Sequence, residues 1–287
     1  MCDSLVALAG ATADGVTLFA KNSDRPPLER QVIEWSPSRT EESTVTTHIT
    51  IAGAAAPTLR CVISRPSWCW GAEHGVNQAG VAIGNESIYT TLDPRVFPPA
   101  LIGMDLVRLG LERAATAAAA LEVMTSLLER YGQGGSGHEI GVDGRSRPYW
   151  SSLLIADPVD AWILETSGRE WEAQRVLDVA AISNRTCIPT FDAAHRHPGQ
   201  PVERLIDPRL DASRAVLAQR PVTQAAIEAH LRSHDSCIEP GWSVCMHVPD
   251  VEATTASLIA RLPVGAPPEA WMLLGSPCEH AYTRYRF

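Results

Sequence analysis

A cysteine at the second position is the residue of this sequence with the clearest chemical potential. Methionine is removed efficiently before a small residue, so Cys2 is expected to carry both a thiol and a free α-amine. Such an amine has a pKa of about 7.7–8.0, and near neutral pH it can accept the proton of the thiol. The thiolate attacks a carbonyl and the ammonium then protonates the leaving amine. This position predicts an amide-bond hydrolase that works through a thioester.

The neighbourhood of Cys2 strengthens this interpretation over the alternative of a small residue that merely follows Met1. A hairpin returns the chain to its starting point, and a strand fixes a terminus that would otherwise fray. The carboxylate of Asp24 could then hold the ammonium, and a cation, Lys21 or Arg25, could lower the pKa of the thiol. The predicted strand, turn, returning strand and final polar cluster are Cys2–Ala9, Asp14–Gly15, Val16–Ala20 and Lys21–Pro26.

Two asparagines each end an apolar strand-like run, namely Asn85 and Asn184. A side-chain amide is a neutral donor for an oxyanion, worth about 2.7–4 kcal/mol when correctly aimed. Asparagine at a strand end is also a common turn former, so each position alone is a weak indication.

The remaining segments alternate between strand-like and helical patterns. They favour a mixed α and β fold, with antiparallel sheets covered by helices, in one domain over residues 1–287 after loss of Met1. Two helices are predicted within residues 100–131, a surface loop at Thr190–Asp211, and helices at Ala212–Gln219 and Thr223–Ser233. Strands are predicted at Val62–Ser64, Trp70–Glu73, Val81–Asn85, Ser152–Ala156, Ala161–Glu165, Trp171–Val176, Val179–Ser183, Ser243–Val248, Thr254–Leu262 and Ala270–Leu274.

Composition narrows the classes of partner. A net charge of −9 with no basic stripe argues against nucleic acid. The apolar runs are too short to cross a bilayer and the N-terminus lacks a signal-peptide pattern, so a cytoplasmic protein is expected. Seven cysteines, at positions 2, 61, 69, 187, 237, 245 and 278, have no CxxC pair and no zinc-ligand spacing. No cofactor or metal is therefore expected, and a homo-oligomer is left open.

Several longer segments, in order along nearly the whole chain, resemble the secernins and the related bacterial cysteine dipeptidases of the N-terminal-nucleophile hydrolase superfamily. The resemblance implies a four-layer αββα sandwich of two antiparallel sheets, with amide hydrolysis by the N-terminal cysteine. The matching segments are Met1–Asp3, Ala20–Pro26 (AKNSDRP), Trp70–Asn85 (WGAEHGVNQAGVAIGN), Gly103–Arg113, Arg130–Gly135, Leu154–Trp171, Ala181–Asn184, Cys245–His247 and Leu274–Cys278 (LGSPC).

More distant relatives, the bile-salt and penicillin-V hydrolases, suggest roles for single residues. Their motifs imply that Asp24 is the carboxylate near the nucleophile, and that Asn85 and Asn184 stabilise the oxyanion and orient the amine. Lys21 falls where those relatives carry arginine, and a lysine is a point charge rather than a planar fork. Their second arginine has no counterpart identified in this sequence. Longer family members continue beyond the LGSPC segment, and the tail Glu279–Phe287 is unlike their apolar continuation. A missing C-terminal portion could open the pocket, remove a lid or be supplied by another subunit.

Three functions remain open from the sequence. The first is a dipeptidase or amidohydrolase acting on a small amide or dipeptide, with the Cys2 thiol as nucleophile and its own α-amine as base. The second is an acyltransferase that uses the same thioester and passes the acyl group to an amine or alcohol. The third is a non-catalytic scaffold, against which the joint presence of Cys2, Asp24, Asn85 and Asn184 argues.

Overall fold

Alternating apolar and small polar residues build two seven-stranded antiparallel sheets. The computed structural model describes residues 1–140, 144–235 and 238–287. The strands are β1 Cys2–Ala7, β2 Thr17–Arg25, β3 Gln31–Ser36, β4 Ser43–Val45, β5 Thr50–Ala52, β6 Cys61–Pro66, β7 His74–Asn77, β8 Ala82–Ile88, β9 Trp150–Ala156, β10 Ala161–Ser167, β11 Glu170–Val176, β12 Val179–Ile182, β13 His247–Val248, β14 Glu252–Leu262, β15 Glu269–Leu274 and β16 Thr283–Arg286. The first sheet has the order β12-β1-β2-β14-β15-β16, with β13 also paired to β14, and the second has the order β11-β10-β9-β8-β7-β6-β3.

Helices cover the outer face of each sheet. The helices are α1 Gly103–Arg113, α2 Ala117–Tyr131, α3 Pro189–His195, α4 Val202–Leu205, α5 Asp207–Ala218 and α6 Gln224–Leu231. α1 and α2 pack on the second sheet, whereas α5 and α6 pack on the first. Gly132 ends α2 with a φ of +78°, as the sequence predicts for a helix C-terminus.

The two-residue periodicity of the strands explains the layers. On β1, Val6 belongs to the core between the two sheets, where it is buried with Phe19 and Leu154. Its neighbour Leu5 points to the opposite face, into the core formed with Leu217 of α5. A third core lies between the second sheet and α1 and α2. The four-layer αββα sandwich implied by the family resemblance is therefore confirmed.

The predicted hairpin is present, with one difference at its polar end. Cys2 pairs with Ser23 across β1 and β2, and the turn passes through Gly15 at a φ of +69°. The cluster beginning at Lys21 does not follow the strand but continues it as far as Arg25. All nine residues of β2 are buried, because β14 pairs along its other side.

Three other predictions of local structure were wrong. The strand predicted at Trp70–Glu73 is found four residues later, as β7. The predicted segment instead packs against α1 through Gly71, since a Cβ on Gly71 would lie 2.3 Å from the carbonyl carbon of Met104. The predicted strand Ser243–Val248 is reduced to the two residues of β13, since the Cys245 amide donates to the Ser233 carbonyl. The predicted loop Thr190–Asp211 contains α3, α4 and the start of α5.

The tail of the chain joins the edges of the two sheets. β16 pairs with β15 in the first sheet, and Tyr285 and Phe287 pack edge-to-face on Trp35 of β3 in the second, with ring centroids 6.2 and 5.0 Å away. No helix within the described ranges is long and apolar enough to span a membrane. Of the described cysteines, four are buried, Cys187 is partly buried and Cys278 is exposed, while Cys237 lies outside the described residues.

Candidate active site

Cys2 is buried at the first position of β1, between two strands that fix it from either side. β2 pairs with it through Ser23, and the chain that leaves β12 brings Asn184 against its backbone. The Cys2 amide donates to Asn184 Oδ1 over 2.7 Å. Because that nitrogen becomes the α-amine when Met1 is removed, Asn184 is placed to orient it.

The orientation of Asn184 is itself fixed by the second sheet. Its Nδ2 donates to the carbonyl of Ser87 over 3.0 Å and to the Ser87 hydroxyl over 3.1 Å. The acceptor end of the amide therefore faces Cys2, and the donor end is occupied. The atom that Asn184 presents to Cys2 is therefore a hydrogen-bond acceptor.

Lys21 is fully buried within β2. Its ammonium donates to the carbonyl of Asn85 over 2.8 Å and to Glu86 over 3.1 Å. Burial alone would lower the pKa of Lys21, but Cys2 and Glu86 raise it above its ordinary value, so the ammonium stays charged. A buried cation beside a thiol favours the thiolate.

Asp24 lies on the other side of Cys2, at the end of β2. The Thr254 hydroxyl donates to its Oδ1 over 2.7 Å, and its Oδ2 lies 3.9 Å from a guanidinium nitrogen of Arg209. Burial raises the pKa of Asp24 to about 7, although the N-terminal amine and Arg209 oppose this shift. Its charge therefore changes near neutral pH.

Asn85 approaches the cavity from β8 of the second sheet. Its Nδ2 donates to the Tyr149 hydroxyl over 3.3 Å, and both side chains line the cavity that contains Cys2. An amide nitrogen carries two N–H groups, of which this bond uses one. Asn85 can thus present a donor to an oxygen in the cavity.

Arg209 is a central residue that sequence reasoning missed. Its guanidinium is fully buried, forms an ion pair with Asp3, and donates to Asn184 Oδ1 over 3.1 Å and to the Cys2 carbonyl over 3.4 Å. It belongs to α5, within the segment predicted to be a surface loop. The signal available was Asp207–Pro208, an acidic residue and a proline that open a helix.

The cavity at Cys2 has a volume of about 240 Å³ and is lined by apolar side chains together with charged groups, among them Arg25, Glu73 and Glu252. The amino group of Met1 lies inside it, donating to the Asp24 carbonyl over 2.9 Å and forming an ion pair with Glu252. With Met1 in place, burial raises the pKa of the Cys2 thiol to about 12, more than Lys21 lowers it. The unprocessed chain therefore holds a neutral thiol.

Four of the five candidate residues identified from the sequence, Cys2, Asp24, Asn85 and Asn184, line this cavity. The fifth, Lys21, does not line it but donates to the carbonyl of Asn85, which does. The one cluster of potential metal ligands found among the described residues does not line this cavity.

Comparison with solved structures shows that the fold is similar to that of several other proteins. A variant of the conjugated bile acid hydrolase from Clostridium perfringens is similar over 100% of this chain and 97% of its own, with a TM-score of 0.56 and 10% identity. Penicillin V acylase from Agrobacterium tumefaciens is similar over 95% and 86%, with a TM-score of 0.53 and 14% identity. The N-acylethanolamine-hydrolyzing acid amidase ortholog from Caenorhabditis elegans is similar over 90% and 92%, with a TM-score of 0.52 and 11% identity.

The sequence profile of peptidase family C69 matches residues 1–200. The chain belongs to that family, and the secernin-like resemblance agrees with it. It is a cysteine amidohydrolase of the N-terminal-nucleophile type, acting on C–N bonds.

Proposed function

We propose that this enzyme is a dipeptidase that cleaves small peptides with a free α-amino group, using the Cys2 thiol as nucleophile and the Cys2 α-amine as base. The observation that carries this proposal is the position of Met1. Met1 is an aminoacyl group attached to Cys2, and its amino group is held by Glu252 inside the cavity. An aminoacyl thioester on the same cysteine would place its ammonium in the same region.

The charges of the cavity support a substrate of this kind. Glu73, Glu252 and Asp24 contribute carboxyl groups to its lining, and Arg25 contributes a cation. Arg25 already pairs with Glu29 and lies 3.3 Å from Glu73, so the lining keeps an excess of acidic groups. Such a lining favours an ammonium over the uncharged acyl chain of a lipid amide.

The proposed reaction begins when Met1 has been removed. Asn184 Oδ1 orients the α-amine, which takes the thiol proton, and the charged Lys21 stabilises the thiolate as it forms. Sulfur attacks the scissile carbonyl, and the free N–H of Asn85 donates to the resulting oxyanion. The α-ammonium then protonates the leaving amine, and water releases the amino acid from the thioester.

Matched substrates test the proposal. A dipeptide, its N-acetylated form and its C-terminal amide are offered to protein whose loss of Met1 has been confirmed by intact mass spectrometry. We expect the dipeptide and its amide to be cleaved and the N-acetylated form to be cleaved at least about tenfold more slowly, since it cannot form the charge-assisted bond to Glu252. Equal cleavage of all three forms would refute the requirement for a free amine.

Variants separate the nucleophile from the recognition site. Cys2→Ala is expected to abolish cleavage, and full activity in both Cys2→Ala and Cys2→Ser would exclude Cys2 as the nucleophile. Glu252→Gln is expected to lower kcat/KM for the dipeptide by roughly tenfold to a hundredfold, because a hydrogen bond to a charged group contributes about 1.5–3 kcal/mol. The same change should leave the slow cleavage of the N-acetylated form unaltered.

A further inference from the structure

Two histidines and two cysteines converge at the surface of the first sheet, outside the Cys2 cavity. The side-chain ligand atoms of all four lie within 4.8 Å of one another. His247 Nε2 is 3.2 Å from the sulfur of Cys278 and 3.5 Å from the sulfur of Cys245, and the rings of His234 and His247 are 5.1 Å apart between centroids.

These residues come from three separate segments, which is why their spacing in the sequence gave no indication of a site. His234 follows α6, Cys245 and His247 lead into β13, and Cys278 lies in the turn after β15. Backbone contacts hold the segments in place independently of the four side chains. The Cys245 amide donates to the Ser233 carbonyl over 3.0 Å, and His247 pairs with Ala253 of β14.

We propose that His234, Cys245, His247 and Cys278 form a structural zinc site. Two imidazoles and two thiolates are a ligand set typical of tetrahedral zinc, and four protein ligands leave no open position for catalysis. With bonds of about 2.3 Å to sulfur and 2.0–2.1 Å to nitrogen, a tetrahedral site separates nitrogen from sulfur by about 3.5 Å. The two distances measured from His247 Nε2 are close to this value.

Zinc bound by these four side chains would join the segment after α6 to the turn after β15. The two thiols release their protons to water when they bind the metal, and the imidazoles bind through neutral nitrogens. Cys245 is buried whereas His234 and Cys278 are exposed, so an ion can enter from solvent. The Met246 amide donates to the Thr254 hydroxyl, which in turn donates to Asp24, so the site anchors a segment that reaches the cavity.

The metal content of the full chain tests this proposal directly. Protein purified without chelator is expected to hold about one zinc per chain by elemental analysis. Replacing the metal with Co²⁺ should give the intense visible absorption of tetrahedral cobalt together with a thiolate-to-cobalt charge-transfer band. Both spectral features can be read on the unaltered protein, so they do not depend on a variant that folds.

Cysteine variants identify the ligands. Cys278→Ser alters an exposed ligand and is expected to weaken zinc binding by at least about tenfold and to reduce the charge-transfer band. Cys187→Ser, a partly buried cysteine outside the cluster, is the matched control and should retain both properties. Sub-stoichiometric zinc with no cobalt spectrum, or a disulfide between Cys245 and Cys278 in the non-reduced peptide map, would overturn the proposal.

Discussion

At the scale of single residues, the reactivity of Cys2 depends on whether its nitrogen is an amide or an amine. As an amide it can donate to Asn184 but cannot accept a proton, and burial raises the pKa of the thiol to about 12. In the proposed mechanism, the amine formed on removal of Met1 accepts the proton of the same sulfur. Removal of one residue would then convert a neutral buried thiol into a nucleophile with an attached base.

Asp24 is expected to lower stability above neutral pH, which gives the first prediction. Burial raises its pKa from 3.8 to about 7, so the folded chain binds more protons than the unfolded chain between those values and becomes less stable as the pH rises. Asp24→Asn removes this effect. The melting temperature of the variant should exceed that of the unaltered protein by a few degrees near pH 8 and approach it near pH 4, while amide hydrolysis is impaired.

Asp3→Asn is the matched control for this measurement. Asp3 is equally buried but forms an ion pair directly with Arg209, so its replacement leaves a buried cation with less compensation. Thermal unfolding of Asp3→Asn near pH 8 should therefore occur at a lower temperature than that of the unaltered protein. If Asp24→Asn instead melts at a lower temperature than the unaltered protein near pH 8, then the charged carboxylate of Asp24 does not destabilise the fold, contrary to the prediction.

Arg209 carries the second prediction. Its planar guanidinium contacts Asp3, Asn184 and the Cys2 carbonyl together, and a lysine cannot reproduce that fork. Arg209→Lys is expected to lower kcat by about a hundredfold through misplacement of Asn184 and the α-amine. Steady-state kinetics should show this loss well below the melting temperature.

Arg261→Lys provides the comparison, because Arg261 pairs with the half-exposed Asp14 near the hairpin turn. A surface ion pair contributes at most about 1 kcal/mol, so this variant should keep its kcat and nearly all its stability. Similar kinetics in the two lysine variants would show that Arg209 acts only as a general structural cation.

The candidate residues predicted from the sequence were those whose position follows from local pairing. The hairpin brings Lys21 and Asp24 back to Cys2, and Asn184 follows the apolar strand β12. Asn85 lies within β8, which continues to Ile88 rather than ending at Asn85 as predicted. Arg209 could not be found in this way, because its contact with Cys2 spans more than two hundred residues and depends on how α5 packs on β1. Its role stays a prediction until the variants are measured.

At the scale of elements, the start of α1 sets the position of Asn85, which leads to the third prediction. Gly103 lies so close to the second sheet that a Cβ there would be 2.0 Å from the Ser151 hydroxyl and 2.4 Å from Asn85 Oδ1. Gly103→Ala must displace one of these groups. Overpacking of this kind costs about 1–3 kcal/mol, and movement of the proposed oxyanion donor should lower kcat more than it raises KM.

Gly10→Ala is the matched control, since no atom lies within 4 Å of a Cβ at that position. Urea unfolding and steady-state kinetics on both variants separate the two effects. Normal kcat in a destabilised Gly103→Ala would mean that Asn85 is not positioned by α1.

Elements with strong internal patterns were predicted well, and elements defined by distant contacts were not. α1 and α2 show helical spacing and a glycine stop, so their existence and order follow from the sequence. The segment 190–211 contains histidine, proline and aspartate, which are typical of loops, yet α3 buries Phe191 and α5 buries Leu210. Tertiary packing outweighs weak local preference in such short helices.

At the scale of the whole molecule, the tail closes the sandwich at the edge formed by β16 and β3. Tyr285 and Phe287 pack on Trp35, joining β16 of one sheet to β3 of the other. None of these three residues lines the Cys2 cavity.

The last prediction follows from this arrangement and concerns Phe287→Ala. The edge-to-face contact with Trp35 contributes about 0.5–1.5 kcal/mol beyond the area it buries, so its loss should lower the melting temperature by about 2–4 °C or more. Because the contact joins sheet edges away from Cys2, kcat and KM at a temperature well below unfolding should not change. Phe287→Leu, which keeps an apolar side chain, should recover part of the stability, whereas a loss of activity in both variants at low temperature would show that the tail shapes the cavity.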